Sequence, residues 1–244
     1  MTFLRVPLRF LGVLITQAVF IFLAALLCVF LPFGKKIRWR LAAYWGQIWA
    51  RTCCSILNIR IRQEGVSIPG GPLLVISNHI GMPDVFVMGA LLPGFFVAKL
   101  DVRKWPLVGW MAGVGGAIFV DRNRRQSSRN LVDQLITRLE TGISVHLFPE
   151  GGAMDGSAIA PFKTPSFEAA IRTGVPVLPV VLKYHDGNTP SVACWYDIPF
   201  SQHVLNLLKV PRLEVTACIL PPVSGFDKRR PLADAAREAM IACK

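Results

Sequence analysis

A chain of 244 residues is long enough for one large domain plus an appendage, and its 52% apolar and 17% charged residues are too broken by charge for a polytopic transporter. The net charge of +12 predicts an anionic partner, which is a nucleic acid, an anionic membrane surface or a phosphorylated substrate. The six cysteines are scattered, with no CxxC and no Cys/His cluster, so they read as reduced thiols rather than disulfides or a zinc site.

From Phe10 to Phe33 the chain carries no charge, which is length enough to cross a hydrocarbon core. Arg5 and Arg9 precede this run, and Lys35, Lys36, Arg38 and Arg40 follow it. The heavier basic cluster after the run favours a cytoplasmic body and argues against a cleaved leader. Ile37–Leu57 mixes Trp39, Tyr44, Trp45 and Trp49 with Arg38, Arg40 and Arg51, as an amphipathic helix in the headgroup layer does. Residues 1–58 are therefore expected to be a membrane-anchoring helical module. The alternative is that both segments are core helices of the globular domain.

After residue 58 short apolar runs alternate with helical patterns. Leu73–Ser77, Phe95–Ala98, Ala117–Val120, Val145–Phe148, Val177–Leu182 and Leu213–Ile219 read as strands. Ser128–Leu139 has apolar residues at helical spacing, and Phe167–Arg172 and Leu232–Ile241 read as helices too. A linker is expected around Gly65–Gly71. Residues 59–244 thus predict one α/β domain, a mixed, largely buried sheet flanked by helices.

Strand ends carry the chemistry in such sheets. The first to do so is Asn78-His79, with Asp84 five residues beyond the histidine. Pro83 suits the first turn of a helix, so Asp84 begins one and the tight turn between brings its carboxylate back to the His79 ring. A carboxylate on one ring nitrogen fixes the tautomer and leaves the other as a base. The bland alternative is a satisfied histidine capping a loop. No G-x-S-x-G elbow and no activated cysteine supplies a nucleophile, so the substrate brings its own hydroxyl to an activated acyl group. Arg122, Arg124, Arg125 and Arg129 follow the Ala117–Val120 strand, either as a phosphate clamp or as a solvated basic loop. Glu150, Gly151 and Gly152 end another strand, where glycines allow close backbone approach to a ligand, or simply turn the chain.

NHxxxxD, GxxFVDR, FPEG and VPVLPV, in this order between about Leu73 and Val181, resemble the four blocks of the glycerolipid acyltransferases. The flanking Phe96-Val97-Ala98-Lys99, Trp105–Trp110 and Pro161-Phe162-Lys163 are similar to that family as well. The resemblance implies a membrane-bound enzyme that moves a fatty acyl group from acyl-CoA or acyl-carrier protein to the free hydroxyl of 1-acylglycerol-3-phosphate, giving phosphatidic acid. It implies that His79 is the base, that Asp84 orients it, and that Asn78, Lys99, Arg122, Glu150, Gly151 and Lys163 serve substrate binding. Pro176 and Pro179 match the block that shapes the acyl side. No metal and no other cofactor is implied. The expected setting is the cytoplasmic side of a bacterial inner membrane, with a lyso-lipid and the bilayer as partners and no nucleic acid.

One position departs from the resemblance. The family's third block commonly continues as FPEGTRS, whereas here Gly152, Ala153 and Met154 follow. The missing arginine is a ligand for the acceptor's phosphate, so lyso-ornithine lipid is the alternative acceptor. A basic nucleic-acid-binding protein would share the charge, but it leaves the four strand-end motifs unexplained.

Overall fold

The computed structural model describes residues 2–30, 34–105, 108–121 and 125–244. Two long helices open the chain, α1 (Thr2–Phe30) and α2 (Lys35–Leu57). The second ends at Asn58, in the left-handed region that asparagine tolerates better than most residues, and its N–H closes on the Cys54 and Ser55 carbonyls.

The sheet has seven strands: β1 (Ile59–Gly65), β2 (Leu74–Ser77), β3 (Gly94–Lys99), β4 (Ile118–Val120), β5 (Ser144–Leu147), β6 (Val177–His185) and β7 (Leu213–Ile219). Their order is β1-β7-β6-β2-β5-β3-β4. Every neighbouring pair is parallel except β6 and β7, so β1 and β7 run against the other five. The sheet is mixed, as expected. β1 was not anticipated: its IRIRQEG segment is mostly exposed at the sheet edge and lacks the apolar signal of the inner strands.

Helices cover both faces. On one lie α5 (Arg125–Leu139), α6 (Phe167–Thr173) and α8 (Arg229–Cys243), packed on Leu74, Ile76, Val145 and Ile118. On the other lie α2, α3 (Pro83–Leu91) and α7 (Phe200–Lys209), packed on Leu73, Val75, Val180 and Val215. Successive β2 residues therefore face opposite layers, and both layers are apolar. That is why Leu73-Leu74-Val75-Ile76 reads as a continuous apolar run rather than an alternation. A 3₁₀ turn (Leu100–Lys104) and α4 (Val108–Val114) complete the elements.

α2 is two-faced. Ala50, Cys53, Cys54 and Leu57 enter the core, while Ile37, Leu41, Tyr44 and Ile48 point outward. α1 is long and apolar enough to cross a membrane by length and composition, over Leu4–Leu26 with mean hydropathy 2.1. Its first turns are docked on the domain. Arg5 Nη1 donates to Lys209 O at 3.0 Å, and Arg9 donates to the carbonyls of Leu208 (3.3 Å), Pro211 (3.0 Å) and Val210. These carbonyls end α7, where the last turn lacks intrahelical donors and the helix dipole favours a cation. Leu4, Leu8, Leu11, Ile15, Val19 and Phe22 remain exposed on α1.

Two buried histidines make stability depend on pH. His146 on β5 is wholly buried, with Nε2 donating to Leu92 O at 3.0 Å and its ring stacked on Phe96 at 4.6 Å. Burial pushes its pKa down to about 4, and does the same to His203 on α7. Both are neutral in the fold and titrate at the ordinary value, about 6.5, once unfolded. Below that value the unfolded chain takes up the protons first, so stability falls as pH drops from about 6.5 towards 4. His146 alone contributes a loss of about 1.4 kcal/mol per pH unit in that window. Thermal unfolding followed between about pH 7 and about pH 5 is expected to show the falling Tm, and a His146→Gln variant a flatter profile.

Candidate active site

β2 and β5 are adjacent and parallel, so their carboxyl ends open on the same edge of the sheet. His79 follows the first and Glu150 the second. The turn after β2 is built around Asp84. Pro83 starts α3, and the fully buried Asp84 carboxylate folds back over the loop. Its Oδ2 accepts from His79 Nδ1 at 2.8 Å and from the backbone N–H groups of Ile80 (2.7 Å) and Gly81 (3.0 Å). Its Oδ1 accepts from the Tyr184 hydroxyl at 2.7 Å. Four donors on one carboxylate compensate a charge that burial alone would disfavour. Burial and the Asp84 charge hold the Tyr184 pKa well above its usual value, so the phenol remains a donor.

With Nδ1 committed to Asp84, His79 keeps Nε2 for other work. Its ring stacks on Phe148 at 4.1 Å and 16°, and the side chain retains 17% exposure. It lines a cavity of about 1030 Å³. Phe148, Gly152, Ala153, Trp105, Trp195 and Phe200 also line this cavity, which continues between apolar side chains of α1, α2, α3 and α4.

Other expected site residues hold this turn in place. Glu150 is buried, and its Oε2 accepts from His79 N–H while Oε1 accepts from Ala160 N–H, each at 2.9 Å. Burial raises its pKa, against the two N–H bonds that lower it. Asn78 bonds across to β6, with Nδ2 donating to Leu182 O at 3.1 Å and Oδ1 accepting Leu182 N–H at 2.8 Å. The polar atoms of Asn78 and Glu150 thus bond to backbone groups around the turn. Gly151 adopts φ +84°, and a Cβ there would meet the Lys163 side chain at 2.6 Å. Lys99 lines the cavity and pairs with Asp101 at 2.6 Å on the surface. Arg122 and Arg124 lie outside the described residues, as do the side chain of Arg125 and the structure of Pro106 and Leu107. Among the described residues, no group of three His, Cys, Asp or Glu side chains is placed to hold a metal ion.

Sequence reasoning missed three contributors. Tyr184 lies two residues beyond the expected end of its strand, on the continuation of β6; strand alternation from Leu182 would have placed it on the same face. The segment 186–199 crosses the His79 turn, with Trp195 N–H donating to Ile80 O at 2.6 Å, and His203 Nε2 accepts Met82 N–H at 3.2 Å. Nothing in that segment's local pattern points to the turn. Cys194 is nearby, but burial raises its thiol pKa, which keeps it a poor nucleophile.

A family model described as Acyltransferase matches residues 58–183. The lyso-ornithine lipid O-acyltransferase of Rhodobacter capsulatus is 32% identical over 204 residues, spanning 78% of this chain and 72% of that protein. The 1-acyl-sn-glycerol-3-phosphate acyltransferase of Neisseria gonorrhoeae is 30% identical over 177 residues, spanning 70% of this chain and 69% of that protein. The crystal structure of the 1-acyl-sn-glycerophosphate acyltransferase PlsC from Thermotoga maritima superposes with a TM-score of 0.70 at 23% identity, covering 100% of this chain and 96% of that one. At that identity the likeness is one of fold.

Proposed function

This chain belongs to the glycerolipid acyltransferase family, and on that footing we propose that His79 and Asp84 are the base and its orienting carboxylate in acyl transfer to the hydroxyl of a lyso-lipid. The observation that carries the proposal is the His79–Asp84 hydrogen bond at the wall of the apolar cavity. The acceptor hydroxyl bonds to His79 Nε2 and gives up its proton as its oxygen attacks the acyl carbonyl carbon. The new C–O bond forms, the C–S bond of the thioester breaks, and the imidazolium returns the proton to the departing thiolate. Asp84 stabilises the imidazolium between these steps. A cavity of about 1030 Å³ is at the upper end of ligand-pocket sizes, which suits a fatty acyl chain. The donor is acyl-CoA or acyl-carrier protein, and no step calls for a cofactor.

The acceptor that the described residues favour is a lyso-lipid without a phosphate monoester, as in lyso-ornithine lipid. Ala153 supports this, because it lines the cavity where the family's arginine would meet a phosphate. The second reading is 1-acylglycerol-3-phosphate, favoured by the net charge of +12 and by Arg122 in the second block. Purified protein given acyl-CoA or acyl-carrier protein and both lyso-lipids, with products read by mass spectrometry, decides between them. Transfer to neither would sink the functional proposal itself.

We place the enzyme on the membrane through residues 1–58, on the cytoplasmic face of a bacterial inner membrane. The exposed apolar side chains of α1 and α2 would contact lipid, so a lyso-lipid could reach His79 without full extraction. Residues 59–244 would form the acyltransferase domain.

Tyr184 touches no substrate in this scheme; it positions Asp84. Tyr184→Phe is expected to lower kcat about tenfold, the worth of one hydrogen bond to a charged group, with KM for donor and acceptor unchanged. Combined with Asp84→Asn it should add little further, because both act through one contact. A fully additive double variant would assign Tyr184 a separate, structural role.

A further inference from the structure

Among the described residues, those that both line the cavity and are exposed fall into two groups. Lys99 and Asp101 form the first. They follow β3, which runs parallel to β5 as β5 does to β2, so they stand at the sheet edge that carries His79. The second group lies on the helices: Phe10 and Leu14 of α1, Arg38 and Leu41 of α2, and Val114 of α4. Apart from Arg38 this second rim is apolar.

α4 is two-faced as well. Val108, Met111 and Ala112 line the cavity, whereas Trp110 is absent from its wall and 67% exposed. Gly113 and Val114 follow Trp110 at the spacing of one helix face, and both are exposed. α4 packs on α1, whose exposed Leu11, Ile15 and Val19 likewise turn away from the cavity. It also presses on the 3₁₀ turn, since a Cβ on Gly109 would lie 2.3 Å from Arg103 O and 2.7 Å from Val102 O. That contact sets Trp110, the next residue, beside the exposed Arg103 and Lys104. The Arg103 guanidinium carbon lies 5.8 Å from the Phe119 ring centroid.

A tryptophan has an apolar body and one N–H donor, which suits the boundary between headgroups and acyl chains, and flanking cations suit the phosphates above it. We propose that the 3₁₀ turn and α4 together form a second lipid-contacting element, with Trp110 and Val114 at the headgroup boundary of an anionic bilayer and Arg103 and Lys104 against its phosphates. The occupant is argued from charge, since two exposed cations border the patch on a chain of net charge +12, and from continuity with α1, the helix of membrane-spanning length that walls the same cavity. The proposal rests on the membrane placement above and extends it beyond residues 1–58. The apolar rim of Phe10, Leu14, Leu41 and Val114 then opens on acyl chains rather than on water, and a lyso-lipid's chain enters the cavity from the bilayer.

The experiment uses the full-length protein reconstituted into vesicles of phosphatidylglycerol and phosphatidylcholine with brominated acyl chains. The difference in emission between the unmodified protein and Trp110→Phe isolates Trp110. That emission is expected to be blue-shifted and quenched by the bromines, and shielded from iodide in solution. Arg103→Gln and Lys104→Gln should each raise the apparent KM for a long-chain lyso-lipid in these vesicles about fivefold, the worth of one cation near an anionic surface. With a short-chain, water-soluble lyso-lipid the same variants should turn over as the unmodified protein does. Trp110 emission open to iodide and untouched by bromine, while other tryptophans are quenched, would overturn the proposal and leave residues 1–58 as the lipid contact. Protein that the vesicles do not retain would overturn the membrane placement and the proposal with it. A blue shift that follows protein concentration and not lipid would assign the patch to a second copy of the chain, and an equal loss with both acceptors would make Arg103 and Lys104 structural; either result overturns the proposal.

Discussion

His79→Ala is expected to lower turnover by about 10²- to 10⁴-fold, the usual contribution of a general base. The side chain stacks on Phe148 and is partly exposed, so its loss opens space at the cavity wall rather than a hole in the core. Folding should therefore survive, and a thermal melt close to that of the unmodified protein would show it. Asp84→Asn is the sharper companion. An asparagine can keep its Oδ1 on His79, Ile80 and Gly81, and turn its amide towards Tyr184, whose hydroxyl accepts as well as donates. The turn is then held with its charge removed, so the fall in kcat reports what that charge does for the imidazolium. The fall is expected to approach that of His79→Ala, with KM little changed. Initial rates at saturating donor and acceptor measure both. Undiminished turnover in His79→Ala would remove it as the base.

Glu150→Gln carries the second large effect, for a different reason. Both carboxylate oxygens accept backbone N–H bonds, from His79 and from Ala160. A carboxylate can only accept, whereas an amide presents a donor on one side. Whichever way the glutamine is turned, an NH₂ group meets an N–H, and a buried donor is left unsatisfied. That costs about 1–3 kcal/mol of stability. It also frees the backbone of His79, or the far side of the loop, which Arg237 holds through the Ala160 (2.9 Å) and Ile159 (2.6 Å) carbonyls. A drop in Tm with kcat lowered about ten- to a hundredfold is expected, since a misplacement of about 1 Å at a catalytic group is worth up to 10². Were Glu150 instead a direct ligand for the acceptor, the change would appear mainly in the acceptor KM with Tm unmoved.

Much of this protein was legible because its signals are local. Apolar runs marked six of the seven strands, and Leu213–Ile219 coincides with β7. The spacing from His79 to Asp84, with Pro83 between, already implied a turn that closes on itself, because a short loop into a helix leaves few places for that carboxylate. The missing arginine at Ala153 was likewise a matter of reading one position.

What surrounds that turn was not legible. Glu150 meets His79 across 71 residues, Tyr184 meets Asp84 across 100, and Asn78 meets Leu182 across 104. Arg5 and Arg9 read as the flank of an apolar run, yet their partners are the carbonyls that end α7, about 200 residues away. By itself the sequence determined six of the seven strands and most of the longer helices, which strand ends carry chemistry, and how His79 and Asp84 relate. These follow from steric preferences and spacing within a few residues. Only the tertiary structure decided that β2 lies between β5 and β6, which brings Glu150 and Tyr184 to one turn. Strand order is set by which apolar faces bury one another across the whole sheet, and that choice leaves no mark at any single position.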